Sequence, residues 1–171
     1  ELWDYPPLSF SGPFDATFSI QDVFQFEGLQ ATIGADRFQV NQDNWGSLSL
    51  KANATDLKHP VQTYLHIGLP EQERQLVFEG FYHPPGLSSR FGQPDYFEFD
   101  LTIDNYPFDI VEYWIDELVS DTRGTINAQL ELFGPPVKPN IRGNIQVEDG
   151  STFVEYLQTR YTFDPHNISV D

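Results

Sequence analysis

The chain has 171 residues, with 26 Asp and Glu against nine Lys and Arg, a net charge of −17. So acidic a chain is repelled by phosphate backbones and by anionic membrane surfaces, which argues against nucleic-acid binding and against docking through a basic patch. At 39% hydrophobic and 15% aromatic it can build a core, while the lack of cysteine removes disulfides, thiolate metal sites and cysteine nucleophiles.

Period-two alternation, the mark of a half-buried strand, runs through most of the sequence. It first places Phe14, Ala16, Phe18 and Ile20 on one face. A turn is expected from Asn41 to Asn44, followed by strands carrying Leu48, Leu50 and Ala52, then Val61, Thr63, Leu65 and Ile67. Leu76, Phe78 and Gly80 alternate with Val77, Glu79 and Phe81, a pattern suited to cover on both faces. Pro84-Pro85 and the run from Gly86 to Gly92 are expected as an exposed loop inside one domain. Phe97, Phe99, Leu101 and Ile103 then alternate with Glu98, Asp100, Thr102 and Asp104, giving a strand with one wet face.

One segment departs from this rule. Phe108, Val111, Ile115 and Leu118 fall at spacings of three and four, with Trp114 beside them and Pro107 suited to a first helical turn. A short amphipathic helix is expected near 107–119, either capping a hydrophobic opening or packing on the core. Alternation resumes with Ile126, Ala128, Leu130 and Leu132, breaks at Gly134-Pro135-Pro136, and returns with Ile141, Ile145 and Val147, Gly143 taking the remaining inward place. Glu148-Asp149-Gly150 is expected to turn.

Strands at such short intervals, with one helical window among them, predict an antiparallel all-β fold. A hairpin repeat is suggested by 46–67 and 124–147, each a glycine-led strand, a proline-marked turn and a second strand. The chain lacks methionine and begins Glu1-Leu2-Trp3, so residues 1–171 are expected to be one β-rich segment of a longer product, any targeting sequence or anchor lying elsewhere. No window approaches the length of a membrane-spanning helix.

Motifs for catalysis are missing. His59, His66, His83 and His166 lack metal-ligand spacing, and no nucleophile elbow, P-loop or dinucleotide fingerprint occurs. Asp43 between Asn41 and Asn44 lacks the oxygen series of a calcium loop. The acids mostly take the outward register of strands, where they confer solubility and protect edges. The expectation is therefore no enzyme, no metal and no cofactor. Trp3, Trp45 and Trp114 can stack on sugars, Trp45 being the best placed, although a tryptophan beside a turn is more often core. The inward face needs a cover: a second sheet, a helix, or an apolar ligand. A closed β-sandwich or jelly roll and an open trough have the same sequence pattern.

Local motifs add a resemblance. Phe97-Glu98-Phe99-Asp100-Leu101, the segment with Trp114, Ser120-Asp121-Thr122-Arg123-Gly124-Thr125-Ile126 and Leu132-Phe133-Gly134-Pro135-Pro136-Val137-Lys138-Pro139-Asn140-Ile141-Arg142-Gly143 resemble the C-terminal region of TamB-type proteins, relatives of AsmA and of bridge-like lipid-transfer proteins. So does the ending, from Val147 through Leu157 and from Thr159 to Phe163. The match is good from Tyr96 onward and looser before, through Asp43-Asn44-Trp45-Gly46-Ser47-Leu48 and Glu79-Gly80-Phe81-Tyr82. The resemblance implies a sheet curled like a taco or half-pipe with an apolar concave wall. It also implies a periplasmic segment of an inner-membrane-anchored protein, passing phospholipid acyl chains or assisting outer-membrane protein assembly with a TamA-like barrel. The wall would carry Phe97, Phe99, Leu101, Ile103, Ile126, Ala128, Leu130, Leu132, Ile141, Ile145 and Val147. Phe108, Val111, Trp114, Ile115 and Leu118 would cap it. Carbohydrate binding by a β-sandwich is the alternative.

Overall fold

The computed structural model describes residues 9–25, 27–56, 59–84, 96–112, 117–163 and 166–170. The alternating runs pair into one antiparallel sheet of eleven strands. These are β1 (Phe10–Ser11), β2 (Phe14–Ser19), β3 (Glu27–Val40), β4 (Asp43–Asp56), β5 (Val61–Leu69), β6 (Arg74–His83), β7 (Tyr96–Pro107), β8 (Val119–Gly134), β9 (Asn140–Val154), β10 (Thr159–Phe163) and β11 (His166–Val170). From β3 to β9 each strand pairs with the next in sequence. At one flank β1 and β2 share the outer edge of β3, and at the other β10 and β11 share that of β9. The sheet is open: among the described residues no pairing joins the two flanks.

Register turns the alternation into transverse rows. One row crosses nine strands as Phe14, Ala35, Leu48, Ile67, Leu76, Ile103, Ala128, Ile145 and Ile168. The next holds Ala16, Ile33, Leu50, Leu65, Phe78, Leu101, Leu130, Gly143 and Val170. Between these rows the opposite face shows, with Gly34, Ser49, His66, Val77, Thr102, Gln129 and Asn144. Directly opposed residues in a ladder share a face, so one side of the sheet is apolar nearly from edge to edge.

The two ends of that face differ. Beyond the Phe14–Ile168 row, the ladders shift register in β3–β4 between Ala35 and Gln39, in β7–β8 between Ile103 and Tyr106, and in β8–β9 between Ser120 and Thr125. Bulges bend strands and increase their twist. Trp45 of β4 and Tyr106 of β7 consequently meet with ring centroids 5.6 Å apart. Their strands are three places apart, about 14 Å in a flat sheet, so the sheet curls over its apolar face here. Two buried clusters form, one of Ala35, Phe38, Val40 and Ile67, the other of Tyr106, Ile110 and Ile126, with Trp45 and Leu76 packed against both.

Gly46 and Gly124 permit two of the bulges. Their φ angles are 92° and 112°. A Cβ at Gly46 would lie 2.0 Å from the Gly68 carbonyl oxygen, and one at Gly124 would lie 2.6 Å from that of Glu148. The repeat expected over 46–67 and 124–147 falls on the β4–β5 and β8–β9 hairpins, with one of these glycines near the start of each.

Several expectations need correction. Asp43 and Asn44 belong to β4 rather than to a turn, because Asn41 and Gln42 (φ 49° and 76°) complete a two-residue hairpin turn alone. Glu148-Asp149-Gly150 lies within β9, not between strands. The helix expected near 107–119 does not reach those bounds: Pro107 pairs with Thr125, Val119 pairs with Val154, and Phe108–Val111 form a 3-10 turn leading to Glu112 in helical geometry, with residues 113–116 outside those described. Trp114 and Ile115 lie outside the described residues, as do Trp3 and the loop from Gly86 to Gly92. Cover on both faces of β6 is not found either, since Phe81 is exposed.

Candidate functional site: the apolar face of the sheet

All eleven residues expected to form the wall share the apolar face. Phe99 pairs with Leu132, Leu101 with Leu130 and Ile103 with Ala128. On β9, Ile141 faces Leu132, Ile145 faces Ala128 and Val147 faces Ile126. Phe97, opposite Gly134, completes the set.

Their burial is graded along the strands. Ile126, Ala128 and Val147, at the curled end, are buried. Phe97, Phe99, Leu101, Ile103, Leu130, Leu132 and Ile145 are half-buried, and Ile141 at the other end is 42% exposed. The described strands all belong to one sheet, so among the described residues no second sheet covers this face. The site is a trough, closed at one end and open along its length. The outermost strand β2 also offers Phe14 and Phe18 to solvent.

The closing elements were only partly anticipated. Phe108 and Val111 pack against the buried cluster, whereas Leu118 is 48% exposed and caps nothing. Ile110, off the expected stripe, is the buried residue of the 3-10 turn. The turn is tied to β8 by the Thr122 amide, which donates to Glu112 Oε1 at 2.5 Å. The buried hydroxyls of Thr122 and Thr152 join at 2.8 Å. Phe38, Val40 and Tyr106 were missed because bulges break the alternation just before them; the run Leu29, Ala31, Ile33 and Ala35 was the available sign of β3.

Beside the closed end lies a small cavity of about 260 Å³, lined by Asp43, Asn44, Trp45, Leu69, Arg74, Tyr106, Pro107, Asp109 and Ile110. Tyr106 is 4% exposed and its hydroxyl has no hydrogen-bond partner. Burial pushes its pKa up to about 12, against a pull downward from Arg74. The Asp109 carboxyl is also raised, by partial desolvation first and then by Glu112 and Asp43, with Arg74 and the Ile110 amide opposing.

The opposite, polar face carries a wider depression of about 600 Å³ across β5 to β9. Tyr64, Phe81 and Phe133 line it with Glu79, Glu98, Asp100 and Glu131. Arg142 crosses to Glu131 at 2.5 Å and lies over the Phe133 ring, 5.1 Å from its centroid.

The histidines are dispersed. His59 bonds Asp56 at 2.8 Å, His66 faces the polar side of β5, and His83 stacks on Tyr96 at 4.0 Å. No group of acids and histidines able to hold a metal occurs among the described residues. Trp45 is half-buried against Phe38 and Tyr106 and presents no open platform for a sugar. No helix among the described residues is long and apolar enough to cross a membrane. No protein-family model matches the chain, and no match was found among curated proteins or solved structures.

Proposed function

We propose that the chain is a segment of a TamB-like, periplasm-spanning protein whose apolar trough passes phospholipid acyl chains between the inner and outer membranes. Assistance to outer-membrane protein assembly, with a TamA-like barrel as partner, belongs to the same proposal. The observation that carries it is the row structure: apolar side chains in register across nine strands, with no second sheet over them among the described residues. Each methylene moved from water onto such a wall gains about 0.8 kcal/mol. Acyl chains are therefore held without polar contacts and slide without a fixed stopping point. Conduction of this kind asks for no catalytic residue.

The test is native mass spectrometry of the purified chain, which should retain phospholipid. Leu101→Asp and Leu130→Asp should each abolish retention while the fold persists. Lipid held equally by both variants would remove these side chains from the pathway.

A second reading, carbohydrate binding, draws its support from the polar-face depression, where Tyr64, Phe81 and Phe133 stand among carboxylates. It predicts oligosaccharide binding that is lost in Phe81→Ala and unaffected by Leu130→Asp.

A further inference from the structure

We infer that the cavity at the closed end of the trough seats the headgroup of a zwitterionic amphiphile, an ethanolamine phosphate, while its acyl chains lie along the apolar face. The inference rests on the lipid-trough proposal and names the part of the lipid that the trough itself does not recognise.

Position comes first. Trp45, Tyr106 and Ile110 line the cavity and also belong to the packing that closes the apolar face. A lipid whose tails run along the trough away from the closed end thus has its polar end beside this cavity. Size limits what enters: about 260 Å³ falls below the range of sites that enclose a whole drug-sized ligand. A headgroup fits, and a diacyl lipid does not.

Charge selects the chemistry. The lining holds two carboxylates, Asp43 and Asp109, and one guanidinium, Arg74. A purely anionic headgroup would meet both carboxylates, and a purely cationic one would leave Arg74 opposed. A primary ammonium joined to a phosphate satisfies both, its N–H groups donating to carboxylate oxygens and its phosphate oxygens accepting from Arg74. The Tyr106 hydroxyl, buried and without a partner, is an independent sign that a polar group is missing here. A buried hydroxyl is seldom left unpaired, and a phosphate oxygen would accept from it. The charge of Asp109 is disfavoured by its partial burial and by Glu112 and Asp43, as its raised pKa indicates, and an ammonium would relieve it.

The test titrates the full chain by calorimetry with dihexanoyl phosphatidylethanolamine, dihexanoyl phosphatidylglycerol, dihexanoylglycerol and free phosphoethanolamine. Arg74→Gln and Asp109→Asn are compared with the parent, their folds checked by circular dichroism. The expected result is tightest binding of the phosphatidylethanolamine, weakened about tenfold by either variant, with dihexanoylglycerol binding unchanged. Equal affinity for the ethanolamine lipid and dihexanoylglycerol, or variants without effect, would overturn the headgroup site and leave the trough intact. Phosphoethanolamine binding as tightly as the lipid would make the ligand a small solute rather than a headgroup. Failure of every acyl compound to bind would reject the trough proposal itself.

Discussion

Leu130→Asp asks whether the trough is open. Leu130 is half-buried in the centre of the apolar face, between Leu101 on β7 and Gly143 on β9. Gly143 brings no side chain, so only one lateral neighbour covers it. Full burial of a leucine is worth about 1.5–3 kcal/mol, and at the intermediate exposure of Leu130 most of that, about 1–2 kcal/mol, is what the substitution forfeits here. The new carboxylate keeps its water in an open trough, holding the total near 1–2 kcal/mol. Ile126→Asp at the closed end is the contrast: Ile126 is 8% exposed, and a charge there loses its hydration. Burying an unpaired ion costs several kcal/mol, a large share of the roughly 5–15 kcal/mol that holds a domain together. Urea denaturation should therefore show a modest shift in midpoint for Leu130→Asp and partial or complete unfolding for Ile126→Asp. Equal damage from the two would mean that the middle of the face is covered as thoroughly as its end, and the reasoning would fail.

Three further outcomes follow from local geometry. Gly46→Ala forces a Cβ to within 2.0 Å of the Gly68 carbonyl oxygen at a φ of 92°; thermal denaturation should register a loss of about 2 kcal/mol, or about 4–8 °C. Asp121 receives hydrogen bonds from Arg160 and Arg123, which hold its carboxyl below the usual carboxylate range. The tie between β8 and β10 is present above that usual range and is lost as pH falls through the lowered pKa. Acidification, or Asp121→Asn at neutral pH, should lower the amide-exchange protection factors of Thr159–Phe163 ahead of the rest of the sheet, each referred to the intrinsic exchange rate at its own pH. Tyr106→Phe removes an unpartnered buried hydroxyl and should stabilise the lipid-free chain by about 1 kcal/mol in denaturant. In the parent, the tyrosine's contribution is complete below its ordinary pKa of 10.0 and is lost as pH rises toward about 12. Alkaline titrations of stability should lack that component in Tyr106→Phe.

The apolar wall was readable in the sequence because β7, β8 and β9 alternate without interruption from Phe97 to Ile103, from Ile126 to Leu132 and from Ile141 to Val147. What escaped lies beyond breaks in that period. At Asp36-Arg37 the inward residues pass from Ala35 to Phe38, so β3 stops resembling a strand at the point where it enters the core. At Asp104-Asn105 the same shift turns Tyr106 inward, with Asn105 at a φ of 52°. The helical stripe around Phe108 was a true apolar pattern with its bounds drawn too wide, since periodicity does not register that Pro107 and Val119 belong to strands. Whether an inward face is covered is a long-range property. Leu101 and Leu130 would have the same sequence neighbours in a sandwich as in an open sheet.

An uncovered apolar face is also a hazard, and the charge distribution addresses it. Contiguous apolar surface on this scale drives association of copies, and the rows extend to Phe14 and Ile168 at the two flanks, both largely exposed. Two short strands on each flank cover part of an edge that would otherwise pair with another chain. The net charge of −17 supplies the rest through mutual repulsion. That repulsion reaches about 30 Å at 0.01 M salt but only about 3 Å at 1 M, while apolar attraction does not weaken with salt. Sedimentation velocity should therefore show monomers at low ionic strength and growing oligomers as salt is raised. A short-chain phospholipid that fills the trough should reverse the association at constant salt. Indifference to salt would mean that charge is not what keeps copies apart. Association that persists with lipid bound would locate the sticky surface at the strand edges rather than in the trough.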